Sequence, residues 1–295
     1  MTRSPRILGL IGLLGMSALA PCHGSTPPPG AISGYSVGDY AFDFPALDQN
    51  GNSVTLYQYS GTYVVLDFAA VWCGPCNAMT PVLDQAATAL NNSGIPEITL
   101  DFLLEDNSGL PSTVQGAHRW ATAYHLAMPV LNVGGAPNSV GFSQMLNYAM
   151  AAGQPEGGFP TLVVMSPTLK ILSVNLGTPV SLDQMPTYLN QIIQADLASD
   201  PSSGLAEAVA LTQRRINATQ PFPLNQAAGT EILNALGRIQ RNVALERTEV
   251  ACVQSAALTI VTTAAAKTLD AVYDAQLRTL MGDVRTALQC GSRVL

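Results

Sequence analysis

The stretch VVLDFAAVWCGPCNAMTPVLDQ, Val64 to Gln85, constrains the fold more than any other part of the chain. TYVVLDFAA, Thr62 to Ala70, is β-branched and aromatic without polar alternation, as in a central strand buried on both faces. From Cys76 the pattern turns helical, with Met79, Val82, Leu83, Ala86, Ala87 and Leu90 recurring at three and four. Pro81 lies inside that pattern and predicts a kink. Cys73 and Cys76 therefore sit where a buried strand hands over to a helix. A thiol there meets the positive end of the helix dipole and free N–H groups, which favour thiolate. Cys73 is the expected nucleophile, its pKa lowered by that position. Cys76, one turn inward, can reach back to it, with Gly74 and Pro75 shaping the turn.

C-x-x-C also supplies half of many zinc sites. There is no second such pair, and the three histidines, His23, His118 and His125, read as ordinary polar positions. No metal and no cofactor is expected. An inert structural disulfide stays open as an alternative.

The N-terminus points to export. Arg3 and Arg6 precede ILGLIGLLGMSALA, Ile7 to Ala20, a charged region followed by an apolar core too short to span a bilayer comfortably. Residues 1–24 are thus expected to be an export signal. ALAPC, ending at Cys22, is similar to a bacterial lipobox and makes Cys22 a candidate for lipidation and membrane anchoring, with Pro21 a departure from that pattern. Cuts after Ala20 or Gly24 are the alternatives. Residues 25–35, rich in Pro, Ser and Gly, read as a flexible tether. Export places the chain where disulfides persist, so five cysteines read as Cys22 plus the pairs Cys73/Cys76 and Cys252/Cys290. A formal charge of −7 with no basic cluster past the first residues gives no electrostatic footprint for nucleic acid.

The remaining pattern reads as a short strand (NSVTLYQY), the buried strand, a helix, a second strand (Glu97 to Leu104), and a helix ending near Ala127. Two strands around a Ser166–Pro167 turn follow, then a last helix opened by a Ser181/Gln184 capping box. That order predicts an α/β domain with a mixed sheet flanked by helices over 36–199, and SDPSSG marks its end. Residues 200–295 read as a smaller all-α domain. Three apolar stripes are expected there: Ile232, Leu236, Ile239 and Val243; Val250, Val253, Ala257, Ile260, Val261 and Ala264; and Leu269, Val272, Leu277, Leu280, Val284 and Leu288. A turn capped by Thr268 or Asp270 would fold the last two into a hairpin. The 38-residue separation of Cys252 and Cys290 would then close as a structural disulfide.

DFAAVWCGPCNAMTPVLDQ is similar to the thioredoxin active-site segment. Asp67 stands six residues before Cys73, where that superfamily carries a buried carboxylate, Trp72 precedes the first cysteine, and Pro81 follows the second by five. GGFPTLVVMS resembles the superfamily's cis-proline segment, with Pro160 between Phe159 and Thr161. The entry from Ser36 and MPVLNV, Met128 to Val133, are similar to exported TlpA/ResA-like redoxins. The resemblance spans Ser36 to Ser199, and the C-terminal region resembles nothing recognised. Ala69 stands where thioredoxins usually have Trp, and Asn77 replaces a common basic residue. The longer segment from Asn132 to Gly158 is expected to add a helix beside the cis-proline loop. The peroxiredoxin pattern, Pro-x-x-x-Thr/Ser-x-x-Cys, does not lead into Cys73.

The resemblance implies a thioredoxin-like fold and a protein-disulfide oxidoreductase. Cys73 would attack a substrate disulfide, Cys76 would resolve the mixed disulfide, and Asp67 would take the Cys76 proton through a water. A cis Pro160 would expose backbone groups for an extended substrate, with Trp72, Gly74, Pro75, Phe159 and Thr161 around it. The Gly-Pro dipeptide favours reduction over oxidation or isomerisation. By family analogy, the partners are a protein disulfide substrate and a membrane thiol that supplies electrons. The alternative is a thioredoxin-like scaffold whose helical C-terminal domain recruits a partner.

Overall fold

The structure, a computed structural model, describes residues 27, 31–132, 140–218, 224, 226–265 and 271–290. The export signal, Cys22, Thr268 and Asp270 lie outside the described residues. Strand β1 (Pro45–Leu47) and strand β2 (Ser53–Thr55) form an antiparallel ribbon. The expected longer strand stops at Thr55 because Leu56–Tyr59 turns into a 3₁₀ helix, with the Gln58 side chain accepting from the Thr55 N–H. Next come β3 (Tyr63–Ala70), α1 (Gly74–Asn92), β4 (Glu97–Glu105), α2 (Val114–Tyr124) and β5 (Val130–Leu131). They are followed by α3 (Val140–Ala151), β6 (Thr161–Met165), β7 (Ile171–Leu176) and α4 (Met185–Ser199). The main sheet runs β5-β4-β3-β6-β7, with β3 parallel to β4 and antiparallel to β6. This is a mixed, thioredoxin-like sheet with helices on its faces.

All eight residues of β3 are buried, which is why its sequence shows no alternation. Val64, Leu66 and Phe68 pack with Phe44, Leu56, Met145 and Tyr148 under the ribbon and α3. Tyr63 and Val65 pack with Met79, Leu83, Leu189 and Ile193 under α1 and α4. Helix α2 stops at Tyr124, short of Ala127, because His125 adopts a left-handed conformation at φ 53° and closes the helix. At the start of the last helix, Ser181 does not cap the backbone. Its Oγ donates to the Gln184 side chain at 2.9 Å, over a 3₁₀ turn that precedes α4.

Asp200 ends α4 and caps α5 (Pro201–Asn217), accepting from Ser202 N at 2.9 Å, so the helical region follows without a spacer. Helices α6 (Gln226–Ala244), α7 (Thr248–Ala265) and α8 (Ala271–Ala287) complete it. Ile232, Leu236 and Ile239 fill its core as their spacing predicts. Of the third stripe, Leu277, Leu280 and Val284 are also in that core and, among its described residues, only Val272 is not, whereas the second stripe needs correction. Val250, Val253 and Val272 are 45%, 53% and 61% exposed, whereas Ala251, Cys252, Ala256, Leu258 and Tyr273 are buried. A disulfide joins Cys252 to Cys290 with Cα atoms 5.6 Å apart, and this link turns the Cys252 face of α7 inward. Arg285 Nη1 also donates to the Cys252 carbonyl at 2.8 Å. Tyr273 is drawn in because its hydroxyl meets Thr212 Oγ1 at 3.0 Å. No helix among the described residues is long and apolar enough to cross a membrane.

Helix α5 lies against the sheet domain closely enough that a Cβ on Gly61 would stand 2.5 Å from the Ala210 methyl, at a backbone φ of +88°. Tyr63 donates from β3 to Asp196 of α4 at 2.9 Å. Nearby on α5, Glu207 is 1% exposed, and burial pushes its carboxyl up to about 8, with the Arg214 charge opposing. A carboxyl raised in the folded state stabilises that state fully below its unfolded value of about 4.5. The contribution is lost as pH rises through about 8. Glu207→Gln is therefore expected to be more stable than wild type at pH 9 by an amount on the order of a few kcal/mol and to lose part of the pH slope. Urea unfolding of both proteins at pH 5 and pH 9 measures this. Parallel pH profiles for the two would contradict it.

Candidate active site

The chain leaves β3 at Ala70 and enters α1 three residues later, with Cys73 as the N-cap and Pro75 in the first turn. Cys73 and Cys76 are joined by a disulfide across that turn, Cα to Cα 5.3 Å. The Cys76 N–H donates to Cys73 Sγ at 3.1 Å, so the N-terminal amide polarity of the helix falls on that sulfur. Cys73 is 3% exposed, against 0% for Cys76. In the oxidised state the neighbours of Cys73 cover all but a narrow window. Gly74 and Pro75 are exposed beside it, and a Cβ on Gly74 would meet nothing within 4 Å.

One side of this window is aromatic. Trp72, 49% exposed, stands edge-to-face on Phe159 at 5.7 Å between centroids. Its indole N–H donates to Glu105 Oε2 at 2.7 Å, which fixes the ring at the rim. Phe142 of α3 meets Phe159 at 6.3 Å, so the longer segment does place a helix beside the cis-proline loop. The Phe159–Pro160 bond is cis, Pro160 is buried, and Thr161 Oγ1 donates back to the Gly158 carbonyl at 2.6 Å. The Pro160 carbonyl already accepts from Gly177 N–H at 2.8 Å.

Asp67 lies on β3 beneath the first turns of α1 and is fully buried. Thr80, one turn past Cys76, donates to its Oδ2 at 3.4 Å. Burial first, and the neighbouring Asp101 second, raise the Asp67 carboxyl well above the usual range.

Sequence reading passed over three other residues here. Asn77 was noted only as a missing charge. Its amide Nδ2 donates to the Val71 and Cys73 carbonyls at 2.9 and 2.6 Å, and its Oδ1 accepts from the Tyr124 hydroxyl. Asn77 thus ties the active-site turn to α2. Asp101 and Trp120, whose indole donates to that carboxylate at 2.7 Å, lie on β4 and α2, and no local spacing links them to the cysteines. Among the described residues there is no cluster of three or more His, Cys, Asp or Glu able to hold a metal ion. Cys252 and Cys290 belong to the helical region, away from this site.

Residues 37–132 match the model of the AhpC/TSA family. Over this part the chain is similar to that redoxin family and has a thioredoxin-like fold. Leu66 and Ala70 occupy the Pro and Thr/Ser positions of the peroxiredoxin pattern, so the redoxin domain carries a dithiol turn in place of that motif. Among curated proteins, the chain is 30% identical over 87 residues to a protein disulfide-isomerase of Aspergillus niger, covering 30% of this chain and 16% of that protein. It is 45% identical over 38 residues to a thioredoxin of Chlamydia pneumoniae, covering 13% and 37%. The chain thus spans little more than a third of the curated relatives it matches, or less. Among solved structures, the thioredoxin domain of a thiol-disulfide oxidoreductase from Bacteroides vulgatus superposes with a TM-score of 0.41 at 17% identity, covering 54% of this chain and 98% of that one.

Asn77→Ala removes two bonds to the turn and leaves Tyr124 without its acceptor. It is expected to destabilise the oxidised protein by about 1–3 kcal/mol. Tyr124→Phe should cost about 1 kcal/mol, and the double variant should cost less than the sum. Urea unfolding checks this; strictly additive losses would show that the two residues act separately.

Proposed function

We propose that the chain is an exported thiol:disulfide oxidoreductase that reduces disulfides of extracytoplasmic proteins through Cys73 and Cys76. The observation that carries this reading is a disulfide at a helix N-terminus whose outer sulfur accepts from a backbone N–H and whose inner sulfur is fully buried. That asymmetry supports a division of roles: Cys73 attacks and Cys76 resolves. Helix α1 stabilises Cys73 as the thiolate. Both cysteines lie in one apolar cluster with Ala69, Leu103 and Trp120, and Cys76, which lacks the N-cap position, keeps its proton until an acceptor takes it. Asp67, buried beneath α1 and bonded to Thr80 one turn past Cys76, is the candidate for that acceptor.

Substrate would lie across the rim of Trp72 and Phe159, over Gly74 and Pro75, with Pro160 and Thr161 forming the floor. Since the Pro160 carbonyl is already bonded to Gly177, an incoming extended segment is left the Phe159 backbone for pairing. Export follows from the charged and apolar N-terminal residues, and lipidation of Cys22 would hold the protein at the membrane. A reductant outside the cytoplasm needs renewed electrons, and a membrane thiol protein is the donor this reading calls for. The helical region, stapled by Cys252–Cys290, is then an appendage that faces away from the redox turn.

Insulin reduction with dithiothreitol as electron source tests the reading. The wild type should accelerate insulin precipitation and Cys73→Ser should abolish the acceleration, while Cys76→Ser should accumulate a mixed disulfide on Cys73. A wild type no faster than Cys73→Ser would overturn it and favour the scaffold alternative.

A further inference from the structure

Asp67 and Asp101 are register partners on the parallel strands β3 and β4, and both are 0% exposed. Such strands run about 4.8 Å apart and partners project from the same face, so the two carboxyls share one compartment under α1 and α2. Thr80 donates to Asp67 Oδ2 at 3.4 Å, and Trp120 Nε1 donates to Asp101 Oδ2 at 2.7 Å. The Oδ1 atoms of both carboxyls are buried with no hydrogen-bond partner.

Among the described residues, no cation answers this pair. On α1, Asp84 accepts from the Ala127 and Met128 amides. On β4, Glu97 accepts from Thr99, and Glu105 accepts from Trp72. On α2, His118 and Arg119 are exposed, and Tyr124 donates to Asn77. Strands β5 and β6 carry no charged residue, and Cys73 and Cys76 are tied to each other. Two adjacent carboxylates, wholly desolvated and without a countercharge, do not both ionise. A proton held by one and hydrogen-bonded to the other satisfies both unpartnered oxygens and leaves a single charge facing the indole.

We propose that Asp101 is a positioning residue for thiol–disulfide exchange at Cys73 and Cys76: with Asp67 it forms a carboxyl pair holding one shared proton, and this pair, not Asp67 alone, accepts the Cys76 thiol proton. The inference rests on the redox role proposed above. Cys73 thiolate attacks one sulfur of the substrate disulfide, the Cys73–substrate bond forms, and the other substrate sulfur leaves as a thiolate. Cys76 S–H passes its proton to the pair, which goes from one proton to two. The Cys76 sulfur then attacks Cys73 Sγ, the intramolecular disulfide forms, and the second substrate thiolate leaves. Two electrons pass from the dithiol to the substrate, whose thiolates take protons from solvent, and the pair returns its extra proton to solvent. The shared proton has a definite consequence. It stabilises the single negative charge, so the pair becomes an available base at lower pH than a lone buried carboxyl would.

Stopped-flow reaction of the reduced protein with the symmetrical disulfide dithiobis(nitrobenzoate) separates the two steps. The first thionitrobenzoate released reports Cys73 attack, and the second reports resolution by Cys76. Asp101→Asn is expected to move the acid midpoint of the second phase upward by about one pH unit or more and to leave the first phase in place. Trp120→Phe, which keeps both carboxyls but removes the indole donor, should move it in the same direction. If Asp101 were merely structural, neither midpoint would move. If the two carboxylates titrated as independent, repelling charges, Asp101→Asn would move the midpoint downward. Either result overturns the proposal, and Trp120→Phe decides alone if Asp101→Asn does not fold. A wild type that never releases the second equivalent would instead sink the dithiol reading itself.

Discussion

Strand β3 lies in the middle of the sheet with every residue buried, and its C-terminal end delivers the chain into the first turn of α1 within three residues. The position of the cysteines follows from that handover. Packing on both faces of β3 fixes Ala70, the short connection leaves Cys73 at the N-cap, and Cys76 falls one turn inward, facing the sheet. The disulfide bridges residues that the strand–helix junction already holds 5.3 Å apart. Hydrogen bonds brace the junction: Asn77 ties the turn to itself and to Tyr124, and Trp72 is pinned by Glu105.

The same burial explains the electrostatics. A strand with no solvent-facing side must put its one acidic side chain in the interior, and the adjacent strand places a second acid opposite it. Desolvation raises both carboxyls, so the site stores protons beneath a pair of sulfurs. At the other end of β3, the pattern recurs in simpler form. Tyr63 reaches Asp196, and Glu207 is buried between the sheet domain and the helices beyond it. Buried acidic groups thus also sit at the end of β3 remote from the cysteines, where helix α5 packs against the sheet domain beside Gly61.

What was legible in the sequence was what depends on local spacing. Apolar runs marked β3 and β4 and the three-and-four pattern marked α1, whereas Asp67, Trp72, Pro81 and Pro160 were singled out by the resemblance to the thioredoxin segment and not by spacing alone. What depends on partners distant in sequence was not legible. Asp101 and Trp120 become part of the site only when β4 pairs with β3 and α2 packs across them. The face of α7 was misread because hydropathy favoured Val250 and Val253, whereas the Cys252–Cys290 link turns Cys252 and its neighbours inward; on α8 the expected Leu277, Leu280 and Val284 are buried and only Val272 gives way to Tyr273, held by Thr212. His125 ended α2 early through a left-handed conformation, uncommon for a non-glycine residue although histidine is among those that adopt it most readily.

The account depends most on the asymmetry between the two thiols. Alkylation of the reduced protein by iodoacetamide across pH, followed by peptide mapping, measures it directly. Cys73 should react first, with a midpoint below the free-thiol value of about 8.5, while Cys76 stays unmodified until the fold is disrupted. Preferential modification of Cys76, or a Cys73 midpoint at or above that value, would contradict the assignment of nucleophile and resolving thiol.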